Sequence, residues 1–337
     1  MVRVGIIGFG FMGQTHWRCY EKLKDTAKVV AVADIDPRRA KGDLTGTWGN
    51  IGGGLQQADF SGVTGTTDYR QLITRSDVDV IDICVPTPLH AEVATAALAT
   101  GKHVLCEKPL ARTLDQAQAI TRAAAGAKGF FMPAMCMRFW PEWAWLKQAI
   151  TEKRYGKVKG ASFLRHGTTP PGWYAKGEES GGAILDLHIH DTDFVCHLFG
   201  KPTAVSSRGY TQASGAIDHI STHYHYDDVP YVVADGGWSF APPYPFRMRY
   251  TVQFEGNVTA DFDLGRADTL MLYENGQAKP IKCEAIDGWL GEIRYFIKCV
   301  AENKRPTIVT ADDAALAVNV IEAEARSVAR NAPEPIA

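Results

Sequence analysis

The sequence predicts two domains of different class. Residues 1–125 read as an α/β domain with a doubly wound parallel sheet. Residues 126–337 read as an α+β domain whose open, mostly antiparallel sheet carries helices on one face. Three observations predict this. Short apolar runs alternate with helix-length segments through the first domain, the rhythm of a parallel sheet. Beyond Arg138 the rhythm changes, and from Thr203 strands follow one another directly. The 337 residues are also more than one core usually organises.

The first strand begins at Val2 and breaks after Ile7 into Gly8-Phe9-Gly10-Phe11-Met12-Gly13, and helix-compatible residues run on to Leu23. Gly8 allows the tight turn, Gly10 lets a pyrophosphate approach the backbone, and Gly13 lets helix and strand pack closely. Free N–H groups at the helix start face the anion. A second strand, Val29 to Ala33, ends in Asp34, about 20 residues past the last glycine. A carboxylate there would accept hydrogen bonds from an adenosine ribose. Asp36-Pro37 starts a helix with Asp36 as its N-cap. Residues 42–65 are glycine-rich and read as a long irregular surface loop holding one short strand. A helix from Tyr69 to Thr74 precedes the strand Val80 to Val85, which Pro86-Thr87-Pro88 stops. His90 to Thr100 is helical, with Gly101 as its stop. The strand His103 to Cys106 leads into Glu107-Lys108-Pro109. Thr113 caps a helix to Ala125, and Gly129 to Ala134 is a further strand. Ligands of such sheets sit beyond the carboxyl ends of the strands. The segments that follow each strand are therefore the candidates for chemistry.

In the second domain a helix spans Glu142 to Glu152, followed by a strand from Val158 to Arg165. A loop rich in glycine, proline and aromatics holds Trp173 and Tyr174. A helix from Ala183 to Phe199 carries Asp186 and His190. Strands follow at Thr203–Tyr210, His219–Tyr226, Tyr231–Phe240, Phe246–Phe254 and Asn257–Asp263, then a short pair, Thr269–Tyr273 and Ala278–Cys283. Alternation in Arg247 to Phe254 suggests a sheet wet on one face. Two helices close the chain, Trp289–Asn303 and Ala311–Asn331.

Composition excludes several classes. A net charge of −2 and a pI near 6.6 give no sign of nucleic acid or an anionic membrane as partner. Seven scattered cysteines form no C-x-x-C pair, which argues against a disulfide framework and a Cys-based zinc site. No signal peptide precedes the first strand and no uncharged apolar run is long enough to span a membrane. The expected location is the cytoplasm.

Together these residues resemble the glucose-fructose oxidoreductase, inositol dehydrogenase and rhizopine-catabolism (Gfo/Idh/MocA) family. The matching pieces are Gly8-x-Gly10-x-x-Gly13-x-x-His16, Ala33-Asp34-x-Asp36-Pro37, Val85-Pro86-Thr87-x-x-His90, Glu107-Lys108-Pro109-Leu110, Arg138-Phe139-x-Pro141 and Gly181-Gly182-x-x-x-Asp186-x-x-x-His190-x-x-Asp193. The resemblance implies an N-terminal Rossmann domain and a C-terminal sheet that forms homodimers or homotetramers. It implies nicotinamide-dependent oxidation or reduction of a sugar, sugar derivative or polyol. Cofactor contacts would come from Gly8, Phe9, Gly10, Phe11, Met12, Gly13, Asp34, Pro86, Thr87, His90, Glu107 and Lys108. NAD is expected rather than NADP, because Asp34 would face the extra phosphate. Two features depart from the family pattern. The stretch 42–65 is longer than expected, a possible lid, oligomer contact or tolerated insertion, and His188 stands where the family often has a small residue.

Asp186 and His190 are i and i+4 on the expected helix, so they share a face, which suits an imidazole oriented by a carboxylate. Hydride transfer from an alcohol needs a base for the hydroxyl proton, work that suits histidine. Lys108 follows a strand at the ligand edge, and its ammonium could polarise a substrate oxygen. The resemblance places it in the active site. Arg138, Trp173 and Tyr174 are candidates for the substrate wall, since aromatic faces pack on sugar C–H surfaces. Trp140, Trp143 and Trp145 read as core or interface residues. No metal is assigned. His188 and His190 point about 200° apart on a helix and do not share an ion. His223-x-His225 shares a strand face but has no third ligand nearby. Two other functions remain open: a retained-NAD glycosidase or lyase working by transient oxidation, and a non-catalytic sugar- or NAD-sensing regulator. The joint presence of Lys108, Asp186 and His190 speaks against the regulator.

Overall fold

The computed structural model describes residues 1–47 and 56–337. In chain order it begins with β1 (Val2–Ile7), α1 (Phe11–Lys22), β2 (Ala27–Ala33), β3 (Thr64–Thr66) and α2 (Tyr69–Ile73). Next come β4 (Val80–Ile83), α3 (His90–Ala99), β5 (His103–Glu107), α4 (Leu114–Gly126) and β6 (Phe131–Ala134). The six strands form one parallel sheet in the order β3-β2-β1-β4-β5-β6. Order reverses between β1 and β4, the point where such sheets bind ligands. Apart from the edge strand β3, the strands are buried almost throughout, as helices on both faces require: all four residues of β4 are buried, Asp82 among them.

The chain continues with α5 (Pro141–Thr151), β7 (Val158–His166), α6 (Gly177–Ser180) and α7 (Ile189–Phe199). Then come β8 (Ala204–Tyr210), β9 (His219–His225), β10 (Tyr231–Gly237), β11 (Arg247–Phe254), β12 (Val258–Asp263), β13 (Leu270–Glu274) and β14 (Gln277–Pro280). It closes with α8 (Gly288–Ala301), α9 (Ala311–Arg330) and β15 (Glu334–Pro335). The second sheet has nine strands in the order β14-β13-β12-β11-β7-β10-β9-β8-β15, antiparallel except for β7 beside β10. Strand β11 alternates strictly, burying Met248, Tyr250, Val252 and Phe254. Trp143 of α5 fills the core under this face, edge-on to Phe194, Tyr250 and Phe262 at 4.8, 5.2 and 5.9 Å.

Two compact units result: residues 1–111, 115–136 and 287–315, and residues 112–114, 137–286 and 316–337. The sequence reading cuts the chain once, at 125/126. By contacts, β6 and α8 group with the first unit, where α8 packs on α1. No described helix is long and apolar enough to cross a membrane.

Three local expectations change. The helix expected from Asp36 is only a 3-10 turn, Arg39–Lys41, because Gly42 turns left-handed at φ 83°. Asp36 caps nothing longer; it accepts from the Arg38 amide and guanidinium. The continuous helix expected over 183–199 opens as a π-turn, Ile184–His188, before α7 begins. That wider turn accommodates the buried His188 ring, which packs where a Gly236 Cβ would lie 2.6 Å from Nδ1. In the stretch 42–65, residues 48–55 lie outside the described residues. Its two ends meet at an Asp43–Gln57 bridge, with Leu44 and Ala58 buried, and β3 is its short strand.

Candidate active site

The glycine motif builds a cradle at the end of β1. Gly8 sits at φ 88°, and a Cβ there would lie 2.7 Å from the Cys84 carbonyl. A Cβ on Gly13 would lie 2.1 Å from the Gly8 carbonyl oxygen, so only glycine lets α1 pack this close. Gly10 differs, because the nearest atom to a Cβ there is Nη1 of Arg39, at 3.9 Å. The loop is open at Gly10. Helix α1 starts there with no side-chain cap and no acidic residue in its first turn. Its leading amides and the dipole are thus presented to an anion. Asp34 closes the cradle from β2: Oδ2 accepts the Phe9 amide at 2.6 Å and Oδ1 the Asp36 amide at 2.8 Å. Arg39 Nη1 stands 4.0 Å from Asp34 Oδ2. This chemistry and space fit a dinucleotide: open backbone amides for a pyrophosphate, and a nearby carboxylate for a ribose diol.

Several expected contacts are placed differently. The Phe9 side chain is fully buried against Trp17 and Phe60, so the motif offers its backbone and not that ring. His90, expected to contact cofactor, is buried and spans two strand-end loops: Nδ1 lies 2.8 Å from the Pro109 carbonyl and Nε2 2.9 Å from that of Val85. A neutral ring carries one N–H and donates to one of these carbonyls at a time. Burial pulls its pKa below the ordinary value against the raising effect of both carbonyls. Glu107 is also turned inward. Its Oε2 accepts the Lys108 amide at 3.0 Å and its Oε1 meets His16 Nε2 at 2.9 Å. Pro86 is exposed, Thr87 buried, and Phe11, Met12 and Lys108 half-buried.

Beneath the cradle lies a buried cluster that motif reading did not assemble. His16 Nδ1 meets both Asp82 oxygens at 2.9 and 3.0 Å, and the Tyr20 hydroxyl donates to Asp82 at 2.9 Å. Glu292 of α8 brings a carboxyl oxygen within 4.8 Å of both His16 and Glu107 donor atoms. Among the described residues neither Glu292 oxygen finds a hydrogen-bond partner. One signal was available: an aspartate inside the apolar run Val80–Val85 must be paired if that strand is buried.

In the second unit the π-turn carries Asp186, which is buried, and the first turn of α7 carries His190, half-buried. His188 sits between them in sequence but faces elsewhere. Its Nε2 is 3.3 Å from Glu324 and 3.3 Å from the Tyr224 hydroxyl. Thr192 bonds Tyr224 at 2.9 Å and Glu324 at 3.1 Å, so α7, β9 and α9 are tied at one buried point. Burial opposes a charge on His188, yet the neighbouring carboxylates, Glu324 first and then Asp191 and Asp235, together outweigh it and raise the imidazole pKa. Arg138, expected on the substrate wall, is buried and pairs in a fork with Asp193, at 3.0 Å from Nε and 2.6 Å from Nη2. Arg165 pairs likewise with Asp191 at 2.8 and 3.0 Å. These forks fix α7 by two arginines, and Arg138 serves as an anchor. Trp173 and Tyr174 pack together with centroids 4.2 Å apart and planes tilted by 30°, and remain half-buried. His223 and His225 share a face of β9 with rings 5.0 Å apart.

Comparison with known proteins follows this division. Residues 2–135 match a model described as an oxidoreductase family with an NAD-binding Rossmann fold, and residues 143–260 match the GFO/IDH/MocA C-terminal domain. The chain belongs to the Gfo/Idh/MocA oxidoreductase family. Among family relatives, levoglucosan dehydrogenase of Pseudarthrobacter phenanthrenivorans is 31% identical over 61% of the chain. That match spans 53% of the relative's own length. The NAD(+)-dependent scyllo-inositol 2-dehydrogenase of Bacillus subtilis is 26% identical over 95% of the chain and 92% of its own length. A solved levoglucosan dehydrogenase, in complex with NADH and levoglucosan, superposes with a TM-score of 0.85. It is 21% identical over 99% of both chains, a likeness of fold.

Proposed function

We propose that this Gfo/Idh/MocA protein is an NAD-dependent dehydrogenase that oxidises a secondary hydroxyl of a sugar, sugar derivative or polyol. The observation that carries the reading is the open, uncapped cradle at Gly10 with Asp34 beside it. The relatives named above as levoglucosan and scyllo-inositol dehydrogenases support the substrate class. The bound nicotinamide supplies hydride transfer. The chain supplies the proton chemistry: His190 takes the hydroxyl proton, Asp186 orients that imidazole, and the Lys108 ammonium favours the deprotonated oxygen. Trp173 and Tyr174 offer aromatic faces to a sugar's C–H surface. A panel of inositols, anhydrosugars, aldoses and sugar acids, read by NADH absorbance and product analysis, tests the reading. Product formation without net NADH would replace it with a retained-cofactor mechanism.

NAD should be preferred to NADP. A 2′-phosphate would set a second anion beside Asp34, and unit charges ~4 Å apart at an effective dielectric of ~20 repel by roughly 4 kcal/mol. Arg39, 4.0 Å from Asp34, softens this. Asp34→Ala should shift the NAD/NADP ratio of kcat/KM toward NADP. The ratio is the quantity to read, because the variant also loses the Phe9 amide acceptor. Equal efficiency of the unaltered enzyme with both cofactors would contradict the preference.

The protein should assemble as a homodimer or homotetramer through the outer face of the nine-stranded sheet. Tyr210, Tyr231 and Tyr273 stand 50%, 50% and 40% exposed on its strands. Light scattering that finds a monomer at micromolar concentration would remove this expectation.

A further inference from the structure

Two histidines and an aspartate, far apart in sequence, meet on the face of the second sheet turned away from α7. Register explains the meeting. His166 of β7 pairs with Gly237 of β10, and Gly237 pairs with His219 of β9, so the three form one row across adjacent strands. Asp235 lies two residues back along β10 and therefore on the same face. Arg165, next to His166, points the other way to Asp191 of α7. Gly237 leaves room between the rings, because a Cβ there would lie 2.3 Å from His219 Nδ1. Both imidazoles turn to one oxygen. Asp235 Oδ1 is 2.5 Å from His166 Nε2 and 3.2 Å from His219 Nε2. One donor atom from each of the three lies within 4.8 Å of the others.

The arrangement is held from outside. Phe240 packs on His166 with centroids 4.5 Å apart, and Tyr210 lies parallel to His219 at 5.3 Å. The start of β9 is fixed by Asp218, whose Oδ2 accepts the amides of Gln212, Ala213 and Ser214. Its Oδ1 accepts the Trp238 indole N–H at 2.7 Å. The three side chains are 12%, 17% and 35% exposed, reachable by a small ion yet shielded from bulk water.

We propose that His166, His219 and Asp235 form a binding site for one divalent transition cation of the zinc and cobalt class. Two imidazole nitrogens and a carboxylate are the donor set such ions take, with three protein ligands leaving a position for water. Bonds of about 2.0–2.1 Å at tetrahedral angles separate ligand atoms by roughly 3.3 Å. His219 and Asp235 already stand at that spacing. His166 must draw back by about 1 Å as the cation takes the place of the hydrogen between its Nε2 and Asp235, the neutral ring then carrying its one N–H on Nδ1. Donors on three neighbouring strands are preorganised, so little order is lost on binding.

The test uses the whole chain, stripped with chelator and dialysed. Zinc is titrated by calorimetry and cobalt by visible absorption. Expected are one cation per chain, in the micromolar range or tighter, and a cobalt d–d band of a low-coordinate nitrogen–oxygen site. Stoichiometry is counted per chain, so it holds whether this face is free or meets a second copy. Asp235→Asn and His219→Gln should each weaken binding more than about tenfold, while His223→Gln in the neighbouring pair leaves it unchanged. Circular dichroism and melting confirm each variant's fold. If a variant does not fold, imidazole NMR signals of the unaltered protein decide, since zinc should perturb His166 and His219 first. No saturable binding, binding that survives Asp235→Asn, binding lost with His223→Gln, or zinc shifts confined to other histidines would overturn the proposal.

Discussion

His190→Ala should lower kcat by roughly 10²–10⁴-fold, the range for losing a general base, while NAD binding stays near normal. In the oxidation direction the hydroxyl proton must leave as the hydride moves, and neutral imidazole is its acceptor. Activity should therefore rise with pH as the imidazole loses its proton. Lys108→Ala should be comparably severe, because the alkoxide character it favours belongs to the same transition state. Asp186→Asn should be milder if the carboxylate mainly orients the ring. The double substitution at 108 and 190 should cost less than the product of the singles, as groups serving one step are non-additive. Cofactor affinity separates these effects from misfolding, since the Gly8–Gly13 cradle and Asp34 lie in the first unit and His190 in the second. The assay is NADH formation on whichever substrate the panel identifies. If His190→Ala keeps more than about half of kcat with an unchanged pH profile, the base is misassigned and Tyr174 is the next group to test.

What was legible in the sequence was local or periodic. Five of the six parallel strands follow from apolar runs bounded by turn residues, whereas β3, Thr-Gly-Thr, carries no such run, and the antiparallel sheet follows from period-two burial such as that of β11. The cradle was legible because its parts lie within one strand–turn–helix and the end of the next strand. The π-turn was not: five residues are too few for a wider period to show against the 3.6-residue one. Side-chain orientation was also hidden. Glu107 and His90 follow strands at the ligand edge, but each turns inward to satisfy a buried partner. Arg138 sits in a segment that suggested substrate, yet Asp193 takes its guanidinium. The clusters His16–Asp82–Glu107–Glu292 and His166–His219–Asp235 draw on residues that only sheet order and helix packing bring together. Spacing along the chain carries no trace of such meetings.

The first of these clusters should make stability fall as pH rises. Burial opposes the His16 imidazolium, but Asp82 and Cys84 together outweigh it and raise the pKa well above the ordinary value. Burial, and then the charge of Glu107, raise the Glu292 carboxyl well above the ordinary range. Both groups hold a proton in the fold that the unfolded chain releases earlier. Their contribution is fully present below the unfolded values, ~4.3 for Glu and ~6.5 for His, and is lost as pH rises through the folded ones. Melting temperature should therefore be highest in mild acid and decline through neutral into alkaline solution. Two substitutions separate the causes. Glu292→Gln replaces a protonated carboxyl by a neutral group of the same shape. It should raise the melting temperature above neutral pH and flatten the decline. His16→Leu instead strips the cation from between Asp82 and Glu107, leaving buried carboxylates without their partner. The expected loss is about 3–5 kcal/mol, even with the Tyr20 hydroxyl and the Cys84 thiol still donating to Asp82. Calorimetric melts from about pH 5 to 9 check both. A melting temperature that is flat or rising over that range would sink the account. So would a Glu292→Gln variant less stable than the parent at every pH, which would mean that Glu292 is ionised and paired in the fold.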